Sequence, residues 1–369
     1  MSSRTFTEEQ LRETVSLFSV YGDFRSCVPF GSGHINDTFK VDLSLGGTQV
    51  SYILQRINDS IFTQPQRVME NIQRVTEHLR VKLAGDPDAT RKTLTLVYAR
   101  DGKPCARGPE GGWWRMYVFI QNARTVDVIE EPGQAYKAAN AFARFQNQLA
   151  DMPAPRLHET IPEFHNTVSR LAQLDAAAAA DVCARKAKVA AELAFVDARR
   201  AAASRLVDLL AAKELPERIT HNDTKINNVM LDDATGEGCA VIDLDTVMPG
   251  LALYDFGDMV RTSTANAAED ERDLSKVYSR IDMFEALARG YLADARFLTP
   301  AERAQLVFSG RLITFTIGVR FLTDYLAGDT YFRTSRPDHN LDRCRTQFKM
   351  VESMEAQSAE MERIVASIA

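Results

Sequence analysis

The chain has 369 residues and a mass of 41.2 kDa, the length of two domains or of one large protein with two lobes. Hydrophobic residues make up 45% and charged residues 25% of the sequence, a composition that excludes wholesale disorder and collagen-like repeats. The 44 basic and 50 acidic side chains give a formal net charge of −6, which argues against broad nucleic-acid binding.

Cysteine usage and the N-terminus indicate the compartment. The five cysteines form no CxxC pair and no Cys/His cluster, as is typical of a reduced cytosolic chain. Residues 1–10 are polar and contain no apolar signal core, and no apolar run approaches the ~20 residues that cross a membrane. We therefore predict a cytoplasmic protein, a monomer or weak homodimer, with no nucleic-acid or membrane partner.

The first third of the chain is predicted to form a small sheet with a helix packed on it, preceded by a short N-terminal helix. A short amphipathic helix is predicted at 8–20, and a Gly-containing turn followed by alternating residues at 30–41 predicts a hairpin with Gly31 and Gly33 in its turn. The other predicted elements of this part are strands at 50–58, 94–98 and 113–120 and a helix at 65–83.

The rest of the chain is mostly helical. Helices are predicted at 131–150, twice within 166–213, and over most of 269–369 apart from an irregular stretch at 328–341. Short strand-like pieces interrupt this pattern between 219 and 245. The expected fold class is α+β, with an antiparallel-sheet N-terminal lobe over residues 1–122 and a helical C-terminal lobe over 123–369.

The segment from 220 to 246, THNDTKINNVMLDDATGEGCAVIDLDT, contains the pattern that most strongly indicates a catalytic site. Asp223 is followed five residues later by Asn228, and a predicted strand–turn–strand leads to Asp243. Phosphoryl transfer needs a carboxylate to accept the proton of the attacking hydroxyl and oxygen ligands that hold Mg²⁺ across the ATP phosphates. Asp223 fits the first role, and Asn228 with Asp243 fits the second. The alternative is a turn in which Asp and Asn bond the local backbone.

Four segments resemble the aminoglycoside-phosphotransferase/choline-kinase superfamily, and within it the N-acetylhexosamine 1-kinases. They read GSGHINDTF (31–39), HNDTKINNVMLD (221–232), AVIDLDTVMPGLALYDFGDMVR (240–261), and RFLTDYLAGDTYF (320–332) with HNLDRCRTQ (339–347). The resemblance implies a protein-kinase-like two-lobed fold, ATP as co-substrate and Mg²⁺ as cofactor. It also implies that Asp223 is the catalytic base, that Asn228 and Asp243 bind the metal, and that Asp245 lies beside metal or substrate.

The nucleotide side matches this pattern only in part. Gly31, Ser32 and Gly33 fit a loop over the phosphates, although a GxG also occurs in ordinary hairpin turns. The nucleotide base is expected against backbone groups of Tyr117 to Ile120.

The predicted third strand lacks the lysine that contacts phosphates in protein kinases. Arg56 is our candidate for that charge, with Gln55 as the alternative, since strand alternation prevents both side chains from facing one side. Glu70 or Glu77 on the next helix is the expected partner.

Four further polar residues are candidates for binding or for structural support. His34 and Asn36 follow the glycines and are candidates for contact with substrate or phosphate, with a satisfied polar turn as the alternative. His221 and Asp255 are interpreted as structural residues that support the catalytic loop.

The C-terminal block favours the acceptor class. Arg320 and Tyr331 are our candidate substrate-binding residues, because this block is basic and aromatic whereas a polycationic aminoglycoside needs an acidic pocket. The resemblance to the N-acetylhexosamine 1-kinases implies phosphorylation of the C1 hydroxyl of an N-acetylhexosamine (GlcNAc or GalNAc), which is the predicted function. A kinase of another small alcohol or amino sugar, and a non-catalytic pseudokinase, are the alternatives.

Overall fold

A computed structural model describes residues 5–31 and 35–368 of the chain. It divides into two compact units, each built from non-contiguous segments. The first unit comprises 1–124, 151–161 and 230–248, and the second comprises 125–150, 162–229 and 249–369. The predicted lobe boundary at residue 122 stays a prediction.

Eleven strands lie within the described residues. They are β1 Asp23–Pro29, β2 Asp37–Leu45, β3 Thr48–Arg56, β4 Leu96–Val97, β5 Ala106–Arg107, β6 Trp113–Val118, β7 Ala123–Arg124, β8 Arg218–Thr220, β9 Val229–Asp232, β10 Gly238–Val241 and β11 Met248–Gly250.

Thirteen α-helices lie within the same ranges. They are α1 Glu8–Ser16, α2 Pro65–Lys82, α3 Ala89–Lys92, α4 Pro132–Leu149, α5 Thr167–Ala180, α6 Ala190–Asp197, α7 Arg205–Ala211, α8 Ala252–Ser263, α9 Ile281–Asp294, α10 Pro300–Arg303, α11 Leu306–Leu326, α12 His339–Ala356 and α13 Ser358–Ser367.

The main sheet of the first unit is antiparallel and has the order β1-β2-β3-β6-β4, with β5 also paired to β6. Strands β2 and β3 pair from Asp37 opposite Arg56 to Leu45 opposite Thr48. Their connection is the dipeptide Gly46-Gly47, with φ of 56° and 85°. Two positive φ angles in a two-residue loop match the twist of a hairpin, which explains the two glycines. Neither β1 nor this turn was predicted from the sequence.

The core of this sheet contains Phe18, Val41, Leu54, Trp114 and Met116, all buried. Helix α2 follows β3 and begins with a proline at its first turn, where no backbone donor is needed. Its buried apolar side chains recur at helical spacing, which confirms the helix predicted at 65–83.

Helix α11 packs against α5, α8 and α12 in the second unit. Helix α8, in which every residue from Ala252 to Arg261 is buried, was not predicted from the sequence. Two helices were predicted between 166 and 213, where the structure has α5, α6 and α7.

Helix α11 is long and apolar enough to pass a test for membrane-crossing helices. Its 18-residue apolar window is, however, 78% buried within the protein. Such burial is that of a core helix, which is hydrophobic on all sides because neighbouring helices surround it.

Candidate active site

The loop after β8 brings Asp223 and Asn228 together. A short 3₁₀ helix, Ile226–Asn228, turns the chain back. The Asn228 amide donates from Nδ2 to the Asp223 backbone oxygen at 2.8 Å and to Asp223 Oδ2 at 3.2 Å. The five-residue spacing seen in the sequence therefore brings the two side chains into contact.

Lys225 is a functional candidate that the sequence analysis missed. Its Nζ lies 3.0 Å from Asp223 Oδ1, and its side chain is 45% exposed. Burial opposes ionisation of Asp223, but Lys225 and the more distant Arg261 outweigh it and lower the pKa of this carboxyl below its ordinary value. Asp223 is thus a carboxylate at neutral pH. The position of Lys225, two residues after Asp223, is the feature of the sequence that could have identified it.

Asp255 anchors the backbone that precedes Asp223. Its carboxylate accepts from the backbone N–H of His221 at 2.8 Å and of Asn222 at 2.6 Å, and from Gln146 Nε2 at 2.6 Å. Burial raises the pKa of Asp255 to about 6 in spite of these donors. The structural role predicted for Asp255 is confirmed.

His221 has the supporting role that was predicted. It is fully buried and packs edge-on against Phe142, with ring centroids 5.5 Å apart. Its Nδ1 accepts from the Asp223 backbone N–H at 3.3 Å. Asp258 completes this support, because it accepts from the Thr224 N–H at 3.0 Å.

A cation–aromatic cluster, formed by Phe164, Arg320, Tyr331 and Phe332, lies in the same unit as Asp223. The Arg320 guanidinium is 4.8 Å from the Phe164 ring centroid, 5.4 Å from Phe332 and 5.6 Å from Tyr331. Within residues 5–31 and 35–368 no carboxylate forms an ion pair with Arg320, and burial lowers its pKa. This guanidinium keeps donors available for an acceptor atom of a ligand.

Asp324 holds the loop that carries Tyr331. Its carboxylate accepts from the backbone N–H groups of Thr330 at 2.9 Å, Tyr331 at 2.8 Å and Phe332 at 2.9 Å, and from Asn340 Nδ2 at 2.9 Å. These donors on one buried carboxylate fix the backbone of the loop, so the position of Tyr331 is defined by the fold.

A second polar cluster belongs to the first unit and surrounds Asp245. Arg115 forms a two-pronged pair with this carboxylate, with Nη2 3.0 Å from Oδ2, and Asn36 Nδ2 donates to Oδ2 at 2.6 Å. Gln55 Oε1 accepts from Arg115 Nε at 2.9 Å. Burial alone would lower the pKa of Arg115, but Asp245 and the nearby Asp243 raise it. Arg115 was missed in the sequence.

A model of the phosphotransferase enzyme family, APH, matches residues 26–300. The chain belongs to this phosphotransferase family. The superfamily resemblance seen in the sequence is thereby confirmed.

Solved structures of this phosphotransferase family have the same fold. An aminoglycoside phosphotransferase from Alicyclobacillus acidocaldarius is 14% identical, with a TM-score of 0.55 over 99% of this chain and 98% of that chain. A spectinomycin phosphotransferase solved with ADP and spectinomycin is 13% identical, with a TM-score of 0.55 over 95% and 99%. An ethanolamine kinase from Plasmodium vivax is 14% identical, with a TM-score of 0.53 over 88% and 82%. These likenesses confirm the predicted α+β, kinase-like fold class.

The basic residue expected on β3 of this phosphotransferase faces away from Asp245. Arg56 is buried and pairs with Glu110 at 3.4 Å and with Asp59 at 3.9 Å. Gln55 is the cross-strand partner of Arg115 in the β3–β6 register, so these two side chains share the face of the sheet opposite to that of Arg56. The register therefore brings Gln55, and not Arg56, to the Asp245 cluster.

The prediction that Glu70 or Glu77 on α2 pairs with Arg56 is wrong. Glu70 lies 2.8 Å from His158 Nε2, and Glu77 accepts from the Tyr98 hydroxyl at 2.8 Å. Glu110, in the loop between β5 and β6, takes the place of both.

The predicted nucleotide-loop residues are only partly described. Gly31 has φ of 81°, a conformation that favours glycine, whereas Ser32, Gly33 and His34 lie outside the described residues. Asn36 uses both ends of its amide within the protein, since its Oδ1 also accepts from the Asn58 N–H at 3.0 Å. Substrate contact by Asn36 and by Asp245 stays a prediction.

The predicted base-binding stretch has two of its backbone donors engaged. The N–H of Val118 donates to Thr95 at 2.9 Å and that of Phe119 to Ser51 at 3.1 Å. Tyr117 and Ile120 are both buried, and burial together with the charges of Asp243 and Asp245 raises the pKa of the Tyr117 hydroxyl. Nucleotide contact at Tyr117 and Ile120 stays a prediction.

His165 contacts the loop that contains Asp223, from a segment that the sequence did not single out. It is buried, and its Nε2 lies 2.8 Å from the Asn222 backbone oxygen. Burial lowers the pKa of His165 to about 4, so the neutral imidazole donates this hydrogen bond at physiological pH.

We expect His165 to make the protein acid-sensitive. Below about pH 6.5 the unfolded chain protonates this imidazole before the folded protein does, so stability falls as the pH drops towards 4. His165→Gln removes this titrating group. Between pH 7.5 and pH 4.5 the free energy of unfolding of this variant should therefore fall by about 2–3 kcal/mol less than that of the wild type. Urea denaturation at both pH values measures the difference, and equal losses would contradict the expectation.

Proposed function

We propose that this phosphotransferase transfers the γ-phosphoryl group of ATP, with Mg²⁺, to the C1 hydroxyl of an N-acetylhexosamine. The observation that supports this proposal is the cation–aromatic cluster around Arg320. This cluster lies in the same unit as the ionised Asp223, and the charge of Asp223 acts on the Arg320 guanidinium. Cations and aromatic rings near the base suit a neutral, acylated sugar.

Charge argues against the cationic acceptors of related enzymes. Arg170 contributes a second guanidinium near Arg320, and neither has a carboxylate ion-pair partner in the described part of the chain. An ammonium group of ethanolamine or of an aminoglycoside would meet repulsion there, since like charges repel most where water is excluded. An amide carbonyl is instead a good partner for a guanidinium, and aromatic rings suit the methyl group and the sugar face.

The chemistry proposed for Asp223 is acceptance of the proton from the anomeric hydroxyl. A sugar hydroxyl has a pKa far above 7, so its attack needs a carboxylate in hydrogen-bond reach. Lys225 adjoins that carboxylate with an exposed ammonium, which suits it to donate to an oxygen of the transferred phosphoryl group. Transfer is then direct and in line, without a covalent enzyme intermediate.

Asn228 and Asp243 stay the predicted Mg²⁺ ligands. Asn228 turns its Nδ2 towards Asp223, which leaves the carbonyl oxygen on the other side of its amide as a metal-type donor. No cluster of three or more His, Cys, Asp or Glu side chains suitable for a metal occurs among the described residues. Mg²⁺ bound with ATP needs only one or two protein oxygens, because phosphates and water complete its shell. When bound, Mg²⁺ would neutralise charge on the ATP phosphates.

ATP as co-substrate is supported by the family and by the ADP in the spectinomycin enzyme. The first unit, with Gly31 and the stretch from Tyr117 to Ile120, is its proposed binding region. Phosphorus NMR of products from ATP, Mg²⁺ and a panel of GlcNAc, GalNAc, glucosamine, ethanolamine and an aminoglycoside tests the function. A sugar 1-phosphate from the N-acetylated sugars supports it, and transfer to a cationic acceptor alone overturns it.

Arg320→Gln tests the acceptor side directly. Losing a charged hydrogen bond to the acyl carbonyl should raise the KM for the sugar about 10-fold or more, while the KM for ATP stays unchanged. Steady-state kinetics with each substrate varied gives both constants. Arg289→Gln, which changes a surface pair with Glu285 on α9, is the matched control. An unaltered sugar KM in Arg320→Gln would exclude this contact.

A further inference from the structure

The turn before α5 places two adjacent side chains against two different parts of the second unit. His165 contacts the catalytic loop, and Phe164 contacts Arg320. We infer that the dipeptide Phe164-His165 is a two-sided positioning element, in which His165 orients Asp223 and Phe164 orients the guanidinium that binds the acceptor. The inference rests on the proposed function for the identity of the acceptor.

His165 acts on the peptide group that joins Asn222 to Asp223. The carbonyl of this group accepts from His165 Nε2 at 2.8 Å, and its N–H donates to His221 Nδ1 at 3.3 Å. Asn222 has φ of 66°, a conformation that non-glycine residues rarely adopt. The peptide plane is therefore held at both ends beside a strained residue, and its rotation would move the Asp223 side chain.

Phe164 acts on Arg320 through its ring and is itself fixed through its backbone. The Phe164 carbonyl accepts from Arg170 Nε at 3.2 Å and from Arg170 Nη2 at 2.9 Å. Its ring packs edge-on against the His165 ring, with centroids 4.6 Å apart, and lies 4.8 Å from the Arg320 guanidinium carbon. An aromatic face at this distance attracts and orients a cation that has no carboxylate partner.

The two neighbours should therefore differ in kinetic signature. A loosened Asp223 is poorly placed in the transition state, which lowers kcat. A loosened Arg320 weakens the hold on the acceptor before and during transfer, which raises the KM of the acceptor and leaves kcat nearly unchanged. A purely structural role of the turn would change both positions alike.

The experiment compares His165→Phe, His165→Gln and Phe164→Leu in the full-length protein, with GlcNAc and ATP each varied. His165→Phe should lower kcat about 10-fold with both KM values within about twofold, and His165→Gln should restore most of it because its amide also donates. Phe164→Leu should raise the sugar KM about 5-fold with kcat and the ATP KM within about twofold. Phe195→Leu, which removes from α6 a ring that lies 3.5 Å from the Arg199 guanidinium carbon, is the control and should change neither kcat nor either KM.

The outcomes separate the inference from the proposed function. Equal kcat losses in His165→Gln and His165→Phe, or a kcat loss in place of the KM rise in Phe164→Leu, overturn it. If His165→Phe does not fold, the inference is decided by Phe164→Leu alone, from its effect on the sugar KM compared with its effect on kcat. If the wild type prefers another acceptor, the proposed function fails, and the same split measured with that acceptor supports or overturns the inference.

Discussion

Asp223→Asn is expected to remove nearly all turnover while leaving the fold and ATP binding intact. An amide cannot accept the proton of the sugar hydroxyl, so kcat should fall about 10²–10⁴-fold. The amide still fits between Lys225 and Asn228, since it keeps one oxygen and nearly the same shape. Single-turnover assays, circular dichroism and nucleotide titration measure the three properties separately.

Two results would contradict the role of Asp223. One is substantial activity in Asp223→Asn, which would assign the base elsewhere. The other is lost ATP binding, which would show that the change acts through the nucleotide site. Asp197→Asn is the matched control, because this aspartate pairs with Arg200 at the surface of the second unit and should leave activity unchanged.

Arg115→Met should destabilise the first unit by about 3–5 kcal/mol. The substitution leaves the Asp245 carboxylate buried without its guanidinium, and an uncompensated buried charge is costly. Both tryptophans, at 113 and 114, belong to this unit, and Trp114 is fully buried, so tryptophan fluorescence during urea denaturation reports on it.

The double variant Arg115→Met/Asp245→Leu supplies the control. Removing both charges with apolar replacements leaves nothing unpaired and should recover most of the lost stability. A single variant as stable as the wild type, or a double variant as unstable as the single one, would show that the pair does not stabilise the fold.

Local patterns in the sequence predicted much of the fold and of the loop at 221–228. The Asp–Asn spacing, the helix that became α2 and the support by Asp255 all depend on residues close in the chain or on a strong period. Strand alternation showed that Gln55 and Arg56 face opposite sides. Which of them faces Asp245 depends on pairing with β6, which a single sequence does not define.

Contacts between distant segments were out of reach of such reasoning. His165 is 57 residues from Asn222, and Arg115 is 130 residues from Asp245. Nothing in the neighbourhood of either residue marks it, because a lone His or a strand Arg is commonplace. Lys225 differs from these two residues, because its place within the loop was evident from the sequence and only its pairing with Asp223 was not inferred.

The distance between Arg115 and Asp245 along the chain has a consequence for synthesis on the ribosome. Chains grow at about 5–20 residues per second, so the carboxylate reaches Arg115 on the order of ten seconds after Arg115 is made. Until then a sheet that is otherwise complete carries a cation that it cannot bury. The nascent N-terminal segment should therefore stay open to chaperones, and a fragment that ends at residue 124 should not fold alone.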